Sequence, residues 1–318
     1  MITPLYELTS DVGENRLFIK RDDLYPRAFG GNKARIALEY IEDMLSKNCD
    51  CMVGYGNSRS NLNRALAFLT AENDIPFHVV SPYDDDGTNI DTFNSKMAIM
   101  NGALFHECPK SNVAETVEMV LNGLMARGFN PYYINGNKYG KGNEEVPVRA
   151  YVKTYFEILE QANSLGVEFD YVFLATGTGM TLAGLLSAQT QINRKEKIIG
   201  ISVARESNTA KQVVQLYCDQ YCKEPMQKVQ HSMIHVVDKY RCGGYGKSCP
   251  EEEDLMSKVL RHYGIPLDPT YTGKSFWGMT QFLREHEVCG SNVLFIHTGG
   301  TPLFFDWISE KREIESDV

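Results

Sequence analysis

No CxxC pair occurs among the eight cysteines of this 318-residue chain, at positions 49, 51, 108, 218, 222, 242, 249 and 289. That removes the paired-thiolate framework of structural zinc sites. Cys218 and Cys222 stand four apart, as do His231 and His235, but neither pair has a partner at metal-site spacing, and the run HSMIH lacks the glutamate of HExxH. No metal is expected, and the thiols read as reduced groups of a cytoplasmic protein. Basic runs are missing too. The net charge of -9 and sequence pI near 5.4 argue against nucleic acid or an anionic membrane as partner. No apolar stretch reaches bilayer-crossing length. The first residues, MITPLYELTSDVGENRL, lack a basic start followed by an apolar core, so no signal peptide is expected. There is no sequence repeat, low-complexity segment or flexible linker. Walker A is absent as well: the Gly-Lys pairs at 140–141, 246–247 and 273–274 each lack a glycine five positions before their own.

What the chain does have is alternation. Short apolar runs read as strands at 17–20, 51–55, 77–81, 103–105, 132–134, 171–175, 198–203, 233–237 and 293–297. Helical periodicity fills the intervals at 34–46, 62–69, 94–101, 113–127, 148–164, 182–191, 209–221, 251–263, 274–287 and 302–313. Continuous apolar strands between helices are the mark of parallel sheets covered on both faces. Ligands of such α/β folds bind at the carboxyl ends of strands.

Glycine-rich loops leave several of those ends. Gly30-Gly31-Asn32-Lys33 opens the first long helix. A lysine there is either an ordinary surface group or an amine of lowered pKa, since the positive end of the helix dipole disfavours its charge. Thr176-Gly177-Thr178-Gly179-Met180-Thr181 runs from an apolar strand into a helix. It is either a tight turn or a phosphate cradle built of backbone N–H groups. It lacks GxGxxG spacing, and Val203-Ala204-Arg205 after the next strand offers no acidic ribose partner. Asn57-Ser58-Arg59-Ser60-Asn61, before Leu62, reads as a helix cap or as a carboxylate site. Tyr245 in GGYG and Tyr271 in YTGK are half-buried packing residues or active-site hydroxyls.

Together the pieces KRDDLYPRAFGGNKAR, SNLNR, ATGTGMTLAGL, GYG, DPTYTGKSFWGM and FIHTGGTPLFF resemble pyridoxal-phosphate enzymes of the tryptophan-synthase-β fold (fold type II). Within these the chain looks like the family of 1-aminocyclopropane-1-carboxylate deaminase and D-cysteine desulfhydrase, and the match spans residues 20 to 307. The resemblance implies two open, twisted, mostly parallel sheets with helices on both faces. It implies a large cofactor domain, 1–47 with 148–318, and a small inserted one, 48–147. Lys33 matches the Schiff-base lysine. Gly177, Thr178, Gly179, Met180 and Thr181 match the phosphate loop. Ser60, Asn61 and Leu62 fall at the substrate carboxylate, Asn61 also at the cofactor's 3-oxygen. Tyr245 and Tyr271 match the two active-site tyrosines. Thr272 and Thr298 match cofactor-contacting positions where cyclopropane deaminases carry glutamate and leucine, and desulfhydrases small hydroxyl residues. The chain departs from the family at Ile36, often a phosphate-holding lysine, at Arg59, usually glutamine, and in the run 135–145.

The implied activity is β-elimination from a small β-substituted amino acid, with Ser60, Lys33, Tyr245 and Tyr271 catalytic. D-Cysteine, giving pyruvate, sulfide and ammonia, fits best. Other β-substituted substrates, β-replacement and 1-aminocyclopropane-1-carboxylate deamination are alternatives. A phosphate- or nucleotide-binding regulatory protein is the rival from another class. A cytoplasmic homodimer is what the resemblance suggests.

Overall fold

A computed structural model describes residues 1–9, 14–83, 90–224 and 228–316, with side chains described to 311. The strands are β1 Leu5–Leu8, β2 Arg16–Arg21, β3 Cys51–Tyr55, β4 Phe77–Pro82, β5 Leu104–Cys108, β6 Pro131–Tyr133, β7 Tyr171–Thr176, β8 Lys197–Ser202, β9 His235–Val237 and β10 Asn292–His297. The α-helices are α1 Asn32–Ser46, α2 Asn61–Glu72, α3 Phe93–Met100, α4 Val113–Ala126, α5 Val146–Leu165, α6 Met180–Gln191, α7 Ser207–Tyr221, α8 Pro250–Tyr263, α9 Thr272–Glu285 and α10 Thr301–Ser316. The alternation read from sequence is thus present, and the fold class is the expected one. No helix among the described residues is long and apolar enough to cross a membrane.

The chain divides into two compact units. The first comprises 1–26, 30–32 and 148–318. Its sheet has the order β1-β2-β10-β7-β8-β9, antiparallel only between β1 and β2. Ile19, Phe173, Ile199 and Phe295 project from these strands into a core completed by Phe276 and Met279 of α9. Each such side chain contributes roughly 1.5–3 kcal/mol by leaving water. Because β2, β10, β7 and β8 run parallel, the segments after 21, 176, 202 and 297 all leave one edge of the sheet. That edge gathers the first unit's loops.

The charged run after β2 is buried rather than solvated. Arg21 grips Asp23 through Nε and Nη2 at 2.8 and 2.7 Å, and Thr3 Oγ1 donates to Asp22 at 2.7 Å. Gly30, with φ +69°, passes so close to Asp23 that a Cβ would meet its carbonyl oxygen at 1.9 Å. Only glycine fits there.

The second unit comprises 27–29 and 33–147, with the parallel sheet β5-β4-β3-β6. The apolar stripe Ile36, Tyr40, Ile41 and Met44 buries one face of α1. Tyr40 packs edge-on against Tyr132, whose hydroxyl donates to Asp43 at 2.7 Å. Lys47, just past the helix, bonds Asp43 at 2.6 Å and Asn143 at 3.0 Å. The boundaries read from sequence placed this helix with the larger domain. Here Tyr40 and Asp43 of this helix pair with Tyr132 of the second unit.

Candidate active site

The first unit carries the phosphate-loop candidate. β7 ends at Thr176, and α6 begins at Met180 with Gly179 as N-cap at φ +90°. No side chain caps this helix. The N–H groups of Gly177, Thr178, Gly179, Met180 and Thr181 find no acceptor among the described residues. Five free donors at the positive end of a buried 12-residue helix form a cradle for a dianion. A Cβ on Gly179 would meet Val214 Cγ2 at 3.0 Å, so the bend is held from behind. Thr178 is exposed, whereas Thr181 is buried, its Oγ1 accepting from Asn32 Nδ2 at 2.9 Å. Arg205, just past the end of β8, donates from Nη1 to the Gly177 carbonyl oxygen. A guanidinium therefore stands at this loop. Ile36, where relatives often have a phosphate-holding lysine, is fully buried.

The glycines of the GGNK run meet the loop after β10. Asn32 N–H donates to the Thr298 carbonyl at 2.9 Å, and a Cβ on Gly299 would strike Gly31 Cα at 2.6 Å. Asn32 is thus tied to both Thr181 and Thr298, and Lys33 is the next residue in the chain. Lys33 makes no hydrogen bond or ion pair among the described residues, and burial alone lowers its pKa to about 8. At pH 7 about one such amine in ten is neutral, against roughly one in three thousand at the ordinary 10.5. Thr298 is buried, and its hydroxyl makes no protein hydrogen bond among the described residues.

Tyr271 is fixed by an acid that the sequence reading did not single out. Asp268 is wholly buried. Its Oδ1 accepts the N–H groups of Thr270 and Tyr271 at 2.9 and 2.8 Å. Its Oδ2 accepts the Thr272 N–H at 3.0 Å and the Thr272 hydroxyl at 2.7 Å. All four acceptor positions of the carboxylate are occupied inside the turn. Thr272 Oγ1 also accepts the Asp268 N–H at 2.8 Å. Thr272 therefore locks the start of α9 and has no donor left for a ligand, unlike Thr298. The Tyr271 and Tyr245 hydroxyls lie 2.9 Å apart, and the Tyr271 ring lies beside Gly177, whose added Cβ would meet Cε1 at 3.5 Å.

The second unit carries the carboxylate-site candidate, on the turn between β3 and α2. Ser60 caps α2, its Oγ accepting the Asn63 N–H at 3.1 Å. A hydroxyl that accepts a cap bond keeps its proton to donate. Asn61 Oδ1 accepts from Asn94 Nδ2 at 3.1 Å, and the Asn61 amide hydrogens make no hydrogen bond among the described residues. The N–H groups of Asn61 and Leu62 have no acceptor among the described residues. The turn is clamped from below: Thr92 Oγ1 donates to the Ser58 carbonyl at 2.6 Å, and Asn94 Nδ2 to that of Arg59 at 3.1 Å. Ser58 Oγ is buried and has no hydrogen-bond partner among the described residues. Motif spacing marked the run but not Ser58, because burial without a partner is a tertiary fact. Asp268 and Arg205 escaped for the same reason, though a strand-end position was a signal for Arg205.

The thiols differ from the expectation in one place. Cys242 and Cys249 are disulfide-bonded, their Cα atoms 5.3 Å apart, and the other six cysteines are free. Among the described residues, the three-residue group that brings ligating atoms together is Cys242, Cys249 and Glu252, and there the two sulfurs bind each other.

These features fit pyridoxal phosphate: an anion cradle without a competing side chain, an unpaired amine of lowered pKa, and amide and hydroxyl donors at a second helix start. Comparison with known proteins agrees. The "Putative 1-aminocyclopropane-1-carboxylate deaminase" of Pyrococcus abyssi is 31% identical over 304 residues, covering 94% of this chain and 88% of its own. Its namesake in Pyrococcus furiosus is 31% identical over 288 residues, covering 89% and 84%. A solved structure described as an ACC deaminase homologue superposes with TM-score 0.83 at 28% identity, over 98% of this chain and 93% of that one. A hydrogen sulfide-producing enzyme from Fusobacterium nucleatum shares the fold at TM-score 0.65 and 17% identity, over 93% and 94%. The profile of the pyridoxal-phosphate dependent enzymes matches residues 2–299. With a match of that extent over a cradle and a lysine of this kind, the chain belongs to the pyridoxal-phosphate dependent enzymes and uses pyridoxal phosphate as its cofactor.

Proposed function

We propose that this chain is a lyase that eliminates the β-substituent of a small amino acid, with D-cysteine the best-fitting substrate. The observation that carries the choice is at Thr272 and Thr298. No carboxylate is presented at Thr272: its own hydroxyl is bound to Asp268, and all four acceptor positions of Asp268 are taken within the turn. Thr298 offers the one uncommitted hydroxyl of the pair. Opening a cyclopropane ring needs a strongly electron-withdrawing, protonated pyridine, which a neighbouring anion stabilises. Neutral hydroxyls give only a hydrogen bond, and that suffices where a good leaving group carries electrons away from Cβ.

When bound, pyridoxal phosphate supplies an electron sink for the carbon bearing the amino group. The protein's part is binding, orientation and proton transfer. The N–H groups of 177–181 with Thr178 hold the phosphate, and Arg205 sits at the Gly177 carbonyl to offset its charge. Lys33 would hold the group covalently through its side-chain amine in the resting enzyme. The Asn61 side-chain amide would help hold the cofactor. The Ser60 hydroxyl with the Asn61 and Leu62 N–H groups binds the substrate carboxylate, which orients the Cα–H bond. Once the substrate's amine had displaced it, the freed Lys33 amine would take the Cα proton, and Tyr271, bonded to Tyr245, would serve the departing group. D-Cysteine and water then leave as pyruvate, hydrogen sulfide and ammonia.

The relatives' names favour a second reading, deamination of 1-aminocyclopropane-1-carboxylate. A cytoplasmic homodimer accompanies our reading, and sedimentation tests the dimer. The function itself is tested by measuring ammonia and keto acid release from β-substituted amino acids of both hands. Release from D-cysteine supports it. No release from any of them removes the lyase assignment.

A further inference from the structure

Tyr245 sits in a glycine-rich segment with few backbone hydrogen bonds. The segment from Cys242 to Cys249 contains Gly243, Gly244 and Gly246 at φ +83°, +119° and +71°, and Cys242 itself at +49°. Among the described residues its backbone hydrogen bonds are Gly244 N–H to the Arg241 carbonyl at 3.0 Å, Lys247 N–H to that of Gly244 at 3.3 Å, and Glu253 N–H to that of Cys249 at 3.1 Å. Few bonds and many glycines make a segment that opens at little cost. Several tethers oppose this, among them a Ser248 Oγ bond to Glu253 at 2.6 Å. Lys274 Nζ donates to the Gly244 carbonyl at 2.5 Å, the Tyr245 and Tyr271 hydroxyls bond, and the Cys242–Cys249 disulfide closes the loop at its base. The disulfide tether is reversible. Both cysteines are part-exposed, within reach of a small oxidant, whereas Cys51, Cys108, Cys218 and Cys222 are buried.

We propose that Cys242 and Cys249 form a thiol–disulfide switch that sets the order of the loop carrying Tyr245. The oxidant is a low-molecular-weight disulfide. One cysteine thiolate attacks it, releasing one small thiol and leaving a mixed disulfide. The second cysteine thiolate displaces the other small thiol, and the two protons end on the two released thiols. The closed form restricts the open states of the loop and keeps Tyr245 against Tyr271. The reduced form loses the covalent closure and keeps the non-covalent tethers, Lys274, Ser248–Glu253 and the tyrosine pair among them. Buried Glu252 lies beside both sulfurs. Burial pushes its carboxyl above the usual carboxylate range, which favours the neutral form beside the attacking thiolate.

The consequence for turnover rests on the role given above to Tyr245; the consequence for loop order does not. The test poises holoenzyme in mixtures of oxidised and reduced dithiothreitol. It then follows alkylation of the 242–249 peptide by mass, amide exchange of residues 243–248, and turnover. Reduction is expected to convert an unalkylated peptide into a doubly alkylated one and to speed exchange on the order of tenfold. Turnover should fall with it. Cys242→Ser and Cys249→Ser should show the reduced behaviour at every ratio. Two alkylated thiols under fully oxidising conditions would overturn the proposal, as would equal exchange in both states. So would one zinc ion per chain shielding both thiols. Exchange that responds while turnover does not upholds the switch and refutes the catalytic role of Tyr245.

Discussion

At Lys33 the environment of one amine decides the chemistry. Its folded pKa of about 8 lies below the ordinary 10.5, so the cost of burying its charge is full below pH 8. Stability recovers as pH rises from about 8 to 10.5, because the unfolded chain holds the extra proton in that window. The same shift sets reactivity. Stripped of cofactor, the protein should take up pyridoxal phosphate at a rate that climbs with pH around a midpoint near 8; a midpoint near 10.5 would show an ordinary, solvated lysine. Borohydride reduction followed by peptide mapping should place the pyridoxyl group on Lys33, and label on another lysine would refute the assignment. Tyr271→Phe removes one hydroxyl and little volume, and a positioned proton-transfer group is typically worth about 10²–10⁴ in rate. An unchanged kcat would make Tyr271 a packing residue.

The elements matter through their starts. α6 begins on Gly179 in a left-handed conformation, with open N–H groups around it. Gly179→Asp would place a side chain and a negative charge in that cradle. It is expected to purify folded by circular dichroism but colourless, with weakened cofactor affinity by fluorescence titration; wild-type affinity would reduce the loop to a turn. α2 and α9 begin on side-chain caps, Ser60 and the Asp268 turn, which double as platforms for Asn61 and Tyr271. Elements of this kind were legible because hydrophobic period and glycine position are local. Every strand but β1 was read, most within two residues of its bounds. LYEL buries only its two ends, has no alternation, and is held as an edge strand by pairing to β2. The division of labour between Thr272 and Thr298 was not legible. Both are threonines in apolar motifs, and only the fold shows that one hydroxyl is bound to Asp268 while the other is uncommitted.

For the molecule as a whole, the issue is which bond the enzyme breaks. Fold and cofactor are common to deaminases, desulfhydrases and synthases, so they do not choose among them. The choice rests on the polarity of a few buried groups, and here those groups are neutral hydroxyls. Installing glutamate at Thr272 is a poor test, since Thr272 is wholly buried and a second carboxylate would face Asp268. The unmodified enzyme is the better instrument. Its kcat/KM for D-cysteine and for 1-aminocyclopropane-1-carboxylate should be measured side by side, by ammonia release at one pH. The account predicts that D-cysteine is favoured by on the order of a hundredfold or more, the margin a site's polar groups can supply. Ring opening at an equal or greater kcat/KM would contradict it.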